Sequence, residues 1–149
     1  MADYTTAIEI RATPEQVFDY LVTADGLTAW MGKYAEVEPE PGGLFLVNIA
    51  GSPIRGRFLE VNRPERVVVS WGVAGSAELP PGSTTVSFTL TPVKRGTLVE
   101  LLHRDLPDAR VAGHEHGWSH FLPRLADRAE GRAPTDDSDW RPLLIRVQA

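Results

Sequence analysis

The stretch between Asp108 and Gly131 constrains the fold of this chain more than any other segment. It reads DARVAGHEHGWSHFLPRLADRAEG, and Asp108 can accept hydrogen bonds from the free N–H groups of a first helical turn. Gly131, with Pro134 just beyond, is typical of a helix end. One face at helical spacing comprises Val111, His114, Trp118, Phe121, Leu122, Leu125 and Ala129. The pattern therefore predicts one long helix whose apolar stripe needs a partner surface.

The chain before this helix alternates with the period of β-strands. Strands are expected over residues 4–11, 33–37, 44–50, 54–61, 66–73, 84–91 and 97–104. Gly51-Ser52-Pro53 is a predicted turn, whereas residues 74–83 are a predicted loop without periodicity. Short connections between successive strands favour an antiparallel sheet. This sheet is the expected partner of the long helix.

Two short helices are predicted after the first strand. Thr13 can cap the first, Pro14 suits its first position, and Gln16 completes a capping box. The second is expected from Asp25 to Trp30. The predicted fold class is therefore α+β, with a curved antiparallel sheet of about six to seven strands wrapped around the long C-terminal helix.

Composition excludes several classes of function. The chain of 149 residues has a net charge of −5 and no obvious basic face, which argues against a nucleic-acid partner. It has no cysteine, so disulfides, thiolate metal sites and cysteine nucleophiles are excluded. The N-terminal residues MADYTTAIEIR lack an apolar signal-peptide core, and no apolar run approaches the roughly 20 residues of a membrane span. We expect a cytoplasmic protein without membrane insertion.

The predicted domain covers residues 1–132, and residues 133–149 form a tail of different character. The tail begins with an acidic, loop-like segment and ends with an apolar segment, Trp140 to Val147. A segment this apolar is expected to pack against its own domain or against a second subunit. The tail therefore suggests a homodimer.

Several short motifs occur in an order and spacing typical of a known family. They include Ile10-x-Ala12-x-Pro14-x-x-Val17-Phe18, Leu27-x-x-Trp30, Pro41-Gly42-Gly43-x-Phe45, Val69-Ser70-Trp71, Gly96-Thr97-x-Val99 and His114-x-x-Gly117-Trp118. Together they resemble the helix-grip superfamily of START lipid-transfer domains, the birch-pollen allergen and polyketide cyclases (SRPBCC). Within it, the chain is most similar to the family named after the activator of the heat-shock protein 90 ATPase. The similarity covers about residues 6–131, and Pro123 and the tail depart from it.

The resemblance implies a helix-grip domain with a cavity between sheet and helix. It implies binding of a small hydrophobic molecule, such as a lipid-like, terpenoid or aromatic compound, by a carrier or sensor. A closed cavity of roughly a few hundred Å³ would fit this function. The alternatives are a cyclase or hydrolase acting in the same cavity, and a chaperone-associated interaction module linked to the stress response. No cofactor is implied.

Nine residues are the candidate lining of the cavity. They are Trp30, Phe45, Trp71, Phe88, Leu101, His103, His114, Trp118 and Leu122. The aromatic rings also fit an ordinary core, and the two histidines also fit hydrogen-bonded structural roles. In a wet cavity, either histidine would orient a ligand or transfer a proton. Catalytic residues stay unassigned.

Two further features of the sequence concern a gate and a metal site. The long helix and the loops around Gly32 and residues 74–82 would form the gate, and Pro123 would ease bending of the helix. The sequence HEHGWSH lacks the second histidine of an HExxH zinc motif, because Trp118 stands there. His116 and His120 have the spacing of two ligands but lie off the apolar stripe, so no metal is expected.

Overall fold

The computed structural model describes residues 1–134 and shows an α+β domain. In chain order, its elements are β1 (Ala2–Ile10), α1 (Pro14–Val22), α2 (Ala24–Trp30), β2 (Tyr34–Val37), β3 (Leu44–Ile49), β4 (Ser52–Asn62), β5 (Arg66–Trp71), β6 (Thr84–Val93), β7 (Gly96–Leu106), a 3-10 turn (Asp108–Arg110) and α3 (Val111–Ala129). The seven described strands form one antiparallel sheet in the order β1-β7-β6-β5-β4-β3-β2. The predicted fold class is confirmed.

The capping signal of α1 is confirmed in detail. The Thr13 hydroxyl oxygen accepts from the backbone N–H of Gln16 at 3.2 Å, and the Thr13 N–H donates to the Gln16 side chain at 2.9 Å. Helix α2 begins one residue before the predicted start, because Thr23 caps it by accepting from the N–H of Gly26 at 2.9 Å. Both helices bury apolar side chains against the sheet.

The predicted N-cap of the long helix is wrong. Asp108 opens a 3-10 turn closed by a 2.8 Å bond from the N–H of Arg110 to the carbonyl of Pro107, so the α-helix begins only at Val111. The carboxylate of Asp108 instead lies 3.4 Å from the N-terminal ammonium group. The predicted end is confirmed, since Gly131 adopts a φ of 82° and donates to the carbonyl of Arg128 at 3.0 Å.

The turn predicted at Gly51-Ser52-Pro53 is also wrong by one residue. Ala50 and Gly51 form the hairpin turn, with φ values of 48° and 85°, and Ser52 already pairs with Ile49. Positive φ at both turn residues matches the right-handed twist of the flanking strands. The other strand ends differ from prediction by no more than two residues; β1, for example, starts at Ala2 rather than at residue 4.

Helix α3 packs unevenly along its length. Its buried residues all lie from Trp118 onwards, and none of residues 111–117 is fully buried. The C-terminal half is also tied to the end of α2, because Arg124 donates to the carbonyl of Trp30 at 3.3 Å and Arg128 to that of Ala29 at 3.1 Å. The N-terminal half therefore covers the sheet less closely. Most of the predicted tail, including Trp140 to Val147, lies outside the described residues.

Candidate functional site

A cleft of about 150 Å³ lies between the loosely packed half of α3 and the β3–β5 side of the sheet. It is lined by Met31, Ile49, Ala50, Ser52, Ile54, Trp71, Val73, Leu79, Arg110, Gly113, His114, Gly117, Trp118 and Phe121. It is smaller than the expected cavity, and it reaches the surface at exposed Ala50. A cavity of roughly this volume accepts a single aromatic ring.

Three of the nine candidate residues line this cleft, namely Trp71, His114 and Trp118. The other six are buried in the core and do not line it: Trp30, Phe45, Phe88, Leu101, His103 and Leu122. Two of these support the walls from behind. The ring centroids of Phe45 and Trp71 are 6.1 Å apart, and those of Phe88 and Trp118 are 6.0 Å apart. Ligand contact by the nine residues stays a prediction.

His103 on β7 is held by a continuous chain of hydrogen bonds. The indole N–H of Trp118 donates to its Nδ1 at 3.2 Å, so Nδ1 carries no hydrogen. The hydrogen therefore sits on Nε2, which donates to the hydroxyl oxygen of Thr84 at 2.9 Å. The Thr84 hydroxyl in turn donates to the carbonyl of Trp71 at 2.8 Å. Both ring nitrogens are used within the protein, which makes His103 a structural support of the two tryptophans.

The electrostatic setting of His103 agrees with this neutral tautomer. Its side chain is fully buried, and burial lowers its pKa to about 2, with a smaller contribution from nearby His114. The two imidazole centroids are 4.8 Å apart. Because its pKa is so low, His103 is a poor general base near neutral pH.

His114 on α3 keeps one ring nitrogen available. Its Nδ1 lies 2.8 Å from the carbonyl oxygen of Arg110, one helical turn earlier, so Nδ1 carries the hydrogen and donates. Burial lowers the pKa of His114, against the opposing effect of that hydrogen bond. In the neutral ring, Nε2 is then an acceptor, and it has no hydrogen-bond partner among residues 1–134.

Two further polar groups belong to residues that line the cleft. Arg110 is held by its Nε, which donates to a carboxylate oxygen of Glu78 at 2.7 Å. The indole nitrogen of Trp71 is buried and has no hydrogen-bond partner in the described part of the chain. A buried donor without a partner is unusual in proteins and calls for an explanation.

Gly117 lies in the middle of α3 and lines the cleft. A Cβ atom built at this position would meet nothing within 4 Å. Glycine inside a helix costs about 1 kcal/mol relative to alanine. Close packing does not explain why this position has no side chain.

Metal and membrane sites receive no support from the described residues. Over residues 1–134, no three His, Asp or Glu side chains are grouped closely enough to hold a metal ion. In the same range, no helix is both long and apolar enough to cross a membrane.

Comparison with known proteins identifies the family. The model of the family described as "Activator of Hsp90 ATPase homolog 1-like protein" matches residues 11–130. The chain belongs to this family. The resemblance seen in the sequence motifs is thereby confirmed. No sequence among the curated proteins matches this chain.

Several solved structures share the fold. An AHSA1-like protein from Rhizobium etli is 42% identical, with 96% of this chain and 91% of that chain covered and a TM-score of 0.75. The Aha1 dimer from Colwellia psychrerythraea is 26% identical, with 88% and 98% covered and a TM-score of 0.74. CalU16 from Micromonospora echinospora is 20% identical, with 91% and 78% covered and a TM-score of 0.72, and it supports the fold alone.

Within this AHSA1-like domain, sequence reasoning missed several residues of the cleft. Leu79 is fully buried although it comes from the loop without periodicity, where the side chain of Ser76 accepts from its N–H at 2.9 Å. Met31 directly precedes Gly32, which lies in one of the two loops predicted to form the gate. Phe121 lies on the predicted apolar stripe of α3 but is not among the nine predicted lining residues. A bulky apolar side chain alone in a polar loop was the available signal for Leu79.

Proposed function

We propose that this AHSA1-like protein binds a small hydrophobic molecule in the cleft beneath α3, as a carrier or sensor. The observation that carries the proposal is Gly117. A helix-interior glycine lowers stability, yet no neighbouring atom occupies the space beside it. Space kept open at an energetic cost is suited to a ligand that fills it. The walls on either side are apolar and aromatic.

The size and chemistry of the cleft restrict which ligands it can bind. A volume of about 150 Å³ suits one ring, or one end of a longer apolar molecule. No acidic residue lines it among those described, and His103 uses both ring nitrogens internally. His114 is thus the one titratable acid–base group of the described lining with an available nitrogen, and it has no carboxylate partner there, which supports binding over the cyclase or hydrolase alternative.

The test is calorimetric titration with toluene, alongside thermal unfolding in its presence. Toluene is expected to bind the wild-type protein and to raise its melting temperature by mass action. The Gly117→Leu variant should lose both effects because its side chain fills the cleft. Ala112→Leu adds the same side chain at an exposed position of the same helix, and it should bind as the wild type does. Absence of binding to the wild-type protein would contradict the proposal.

The family description favours a second candidate function. Relatives are described as homologues of an activator of the Hsp90 ATPase, so an interaction with a chaperone of that class is the second proposal. It is tested by measuring the ATPase rate of a purified Hsp90-class chaperone with and without this protein. A rate unchanged at saturating protein would count against it.

A homodimer is proposed on the same comparative ground, because the Colwellia psychrerythraea relative is described as a dimer. The proposed contact, Trp140 to Val147, lies outside the described residues. Light scattering on the full chain should give twice the 16.4 kDa of the monomer. Trp140→Ala should shift the mass towards the monomer, and a monomeric wild-type protein would refute the proposal.

A further inference from the structure

The polar groups of the cleft differ in what they can offer a ligand. His114 offers an acceptor, because its Nδ1 hydrogen is committed to the carbonyl of Arg110 at 2.8 Å and Nε2 is the remaining nitrogen. The burial that disfavours its charged form keeps Nε2 in the accepting state near neutral pH. A ligand that bonds to His114 must therefore donate a hydrogen.

Arg110 offers donors. Only the Nε of Arg110 is engaged, with Glu78 at 2.7 Å, and its terminal nitrogens have no partner within residues 1–134. Its side chain is 29% exposed, so it stands at the rim of the cleft. The indole N–H of Trp71 is fully buried, so it is not counted among the donors that a ligand can reach. A ligand that bonds to Arg110 must accept a hydrogen.

Few chemical groups can both donate a hydrogen to His114 and accept one from Arg110. A carboxylate accepts from Arg110 but has no hydrogen to donate to His114. An ammonium group donates to His114 but is repelled by the guanidinium of Arg110. A hydroxyl group does both, since it has one hydrogen to donate and two lone pairs.

We propose that the cleft selects a single-ring aromatic alcohol, a phenol, whose hydroxyl donates to Nε2 of His114 and accepts from the guanidinium group of Arg110. This inference rests on the proposed ligand-binding function. The ring would lie among the apolar walls, which include Trp118 and Phe121. A buried polar group left without its partner penalises every analogue that lacks the hydroxyl.

The inference is tested by titrating the wild-type protein with four ligands built on the same ring. They are p-cresol, toluene, 4-methylanisole and p-toluate. The p-cresol should bind about tenfold more tightly than toluene, the gain expected of one hydrogen bond to a buried group. The methyl ether keeps an oxygen that can accept from Arg110 but has no hydrogen to donate to His114, so it should bind more weakly than p-cresol. The carboxylate should bind more weakly than p-cresol.

Two variants test whether the preference for p-cresol depends on His114. His114→Phe removes the acceptor but keeps a ring, so the preference for p-cresol over toluene should fall well below tenfold. His116→Phe makes the same change two residues further along α3, outside the cleft lining, and should keep the preference of the wild type. A tenfold preference that survives in His114→Phe overturns the assignment to His114.

The outcomes separate this inference from the function on which it rests. Equal binding of p-cresol and toluene to the wild-type protein overturns the inference and leaves the ligand-binding function standing. Tighter binding of 4-methylanisole or p-toluate than of p-cresol also overturns it. Failure of all four ligands to bind overturns both proposals. These comparisons use the wild-type protein, so they do not depend on whether a variant folds.

Discussion

Trp118 donates its indole N–H to Nδ1 of His103 at 3.2 Å, which joins helix α3 to strand β7 behind the cleft. The same bond fixes the tautomer of His103 and so directs its Nε2 hydrogen to Thr84. The Thr84 hydroxyl in turn donates to the backbone carbonyl of Trp71. The two tryptophans, whose ring centroids are 5.3 Å apart, are thus held by one set of buried polar contacts. His103, which the sequence suggested as a residue that could transfer a proton, therefore supports the tryptophan wall of the cleft.

Removal of the Thr84 hydroxyl should weaken this support. Thr84→Val keeps the shape of the side chain but leaves the Nε2 hydrogen of His103 without an acceptor in a fully buried setting. Unfolding in urea should show a loss of about 1–3 kcal/mol. Thr84→Ser keeps the hydroxyl and should recover most of that loss. Equal stability of the valine variant and the wild type would show that the chain contributes nothing.

Stability should fall as the pH drops below about 6.5, the ordinary pKa of histidine. The pKa of His103 is lowered from 6.5 to about 2, so between these values the unfolded chain binds a proton that the folded chain does not. Stability due to the neutral ring is therefore complete above pH 6.5 and decreases as the pH falls. From pH 7 to pH 5, His103 should account for about 2 kcal/mol of lost stability.

The measurement is urea unfolding at both pH values. The pKa of His114 is also lowered, so this residue adds a loss in the same direction. His103→Gln offers an amide that can donate and accept but does not titrate, and the variant should show a correspondingly smaller change between the two pH values. An identical change in both proteins would mean that His103 is protonated in the folded state or is not buried as described.

Much of the fold could be predicted because its signals are local. Alternation identified every strand of the sheet, and Thr13 with Gln16 identified the start of α1. The errors arose where backbone geometry depends on neighbours. The 3-10 turn after Pro107 moves the start of α3 past Asp108, and Ala50 adopts a positive φ that alanine rarely takes.

The candidate site was less predictable because its contacts are distant in sequence. Periodicity placed His103 on an inward face, but its partners Thr84 and Trp118 are 19 and 15 residues away. Their pairing depends on the register of β6 against β7 and on the position of α3. The cleft exists because side chains do not fill all of the space between the helix and the sheet, as beside Gly117. A sequence pattern identifies apolar residues without telling whether they fill the available volume.

The hairpin turn at the rim of the cleft should be improved by substitution. Ala50 has a φ of 48°, a left-handed conformation that costs an L-residue roughly 1–2 kcal/mol. Asparagine tolerates this conformation, and Asn-Gly is a preferred pair in two-residue hairpins. Ala50→Asn should therefore raise the free energy of unfolding by up to about 1 kcal/mol in urea titrations. Ala50→Val should lower it, and the reverse order of the two variants would contradict the assigned turn.

Gly117→Ala should make the protein more stable and the cleft smaller. Alanine at this interior position of α3 favours the helix by about 1 kcal/mol, and its methyl group meets no atom within 4 Å. Unfolding in urea should show that gain, while toluene should bind more weakly because the methyl group occupies part of the cleft. Gly131→Ala is the matched control, since the φ of 82° there should make the same change destabilising by about 1 kcal/mol. A destabilised Gly117→Ala variant would mean that the space beside α3 is already filled, and the ligand proposal would lose its main support.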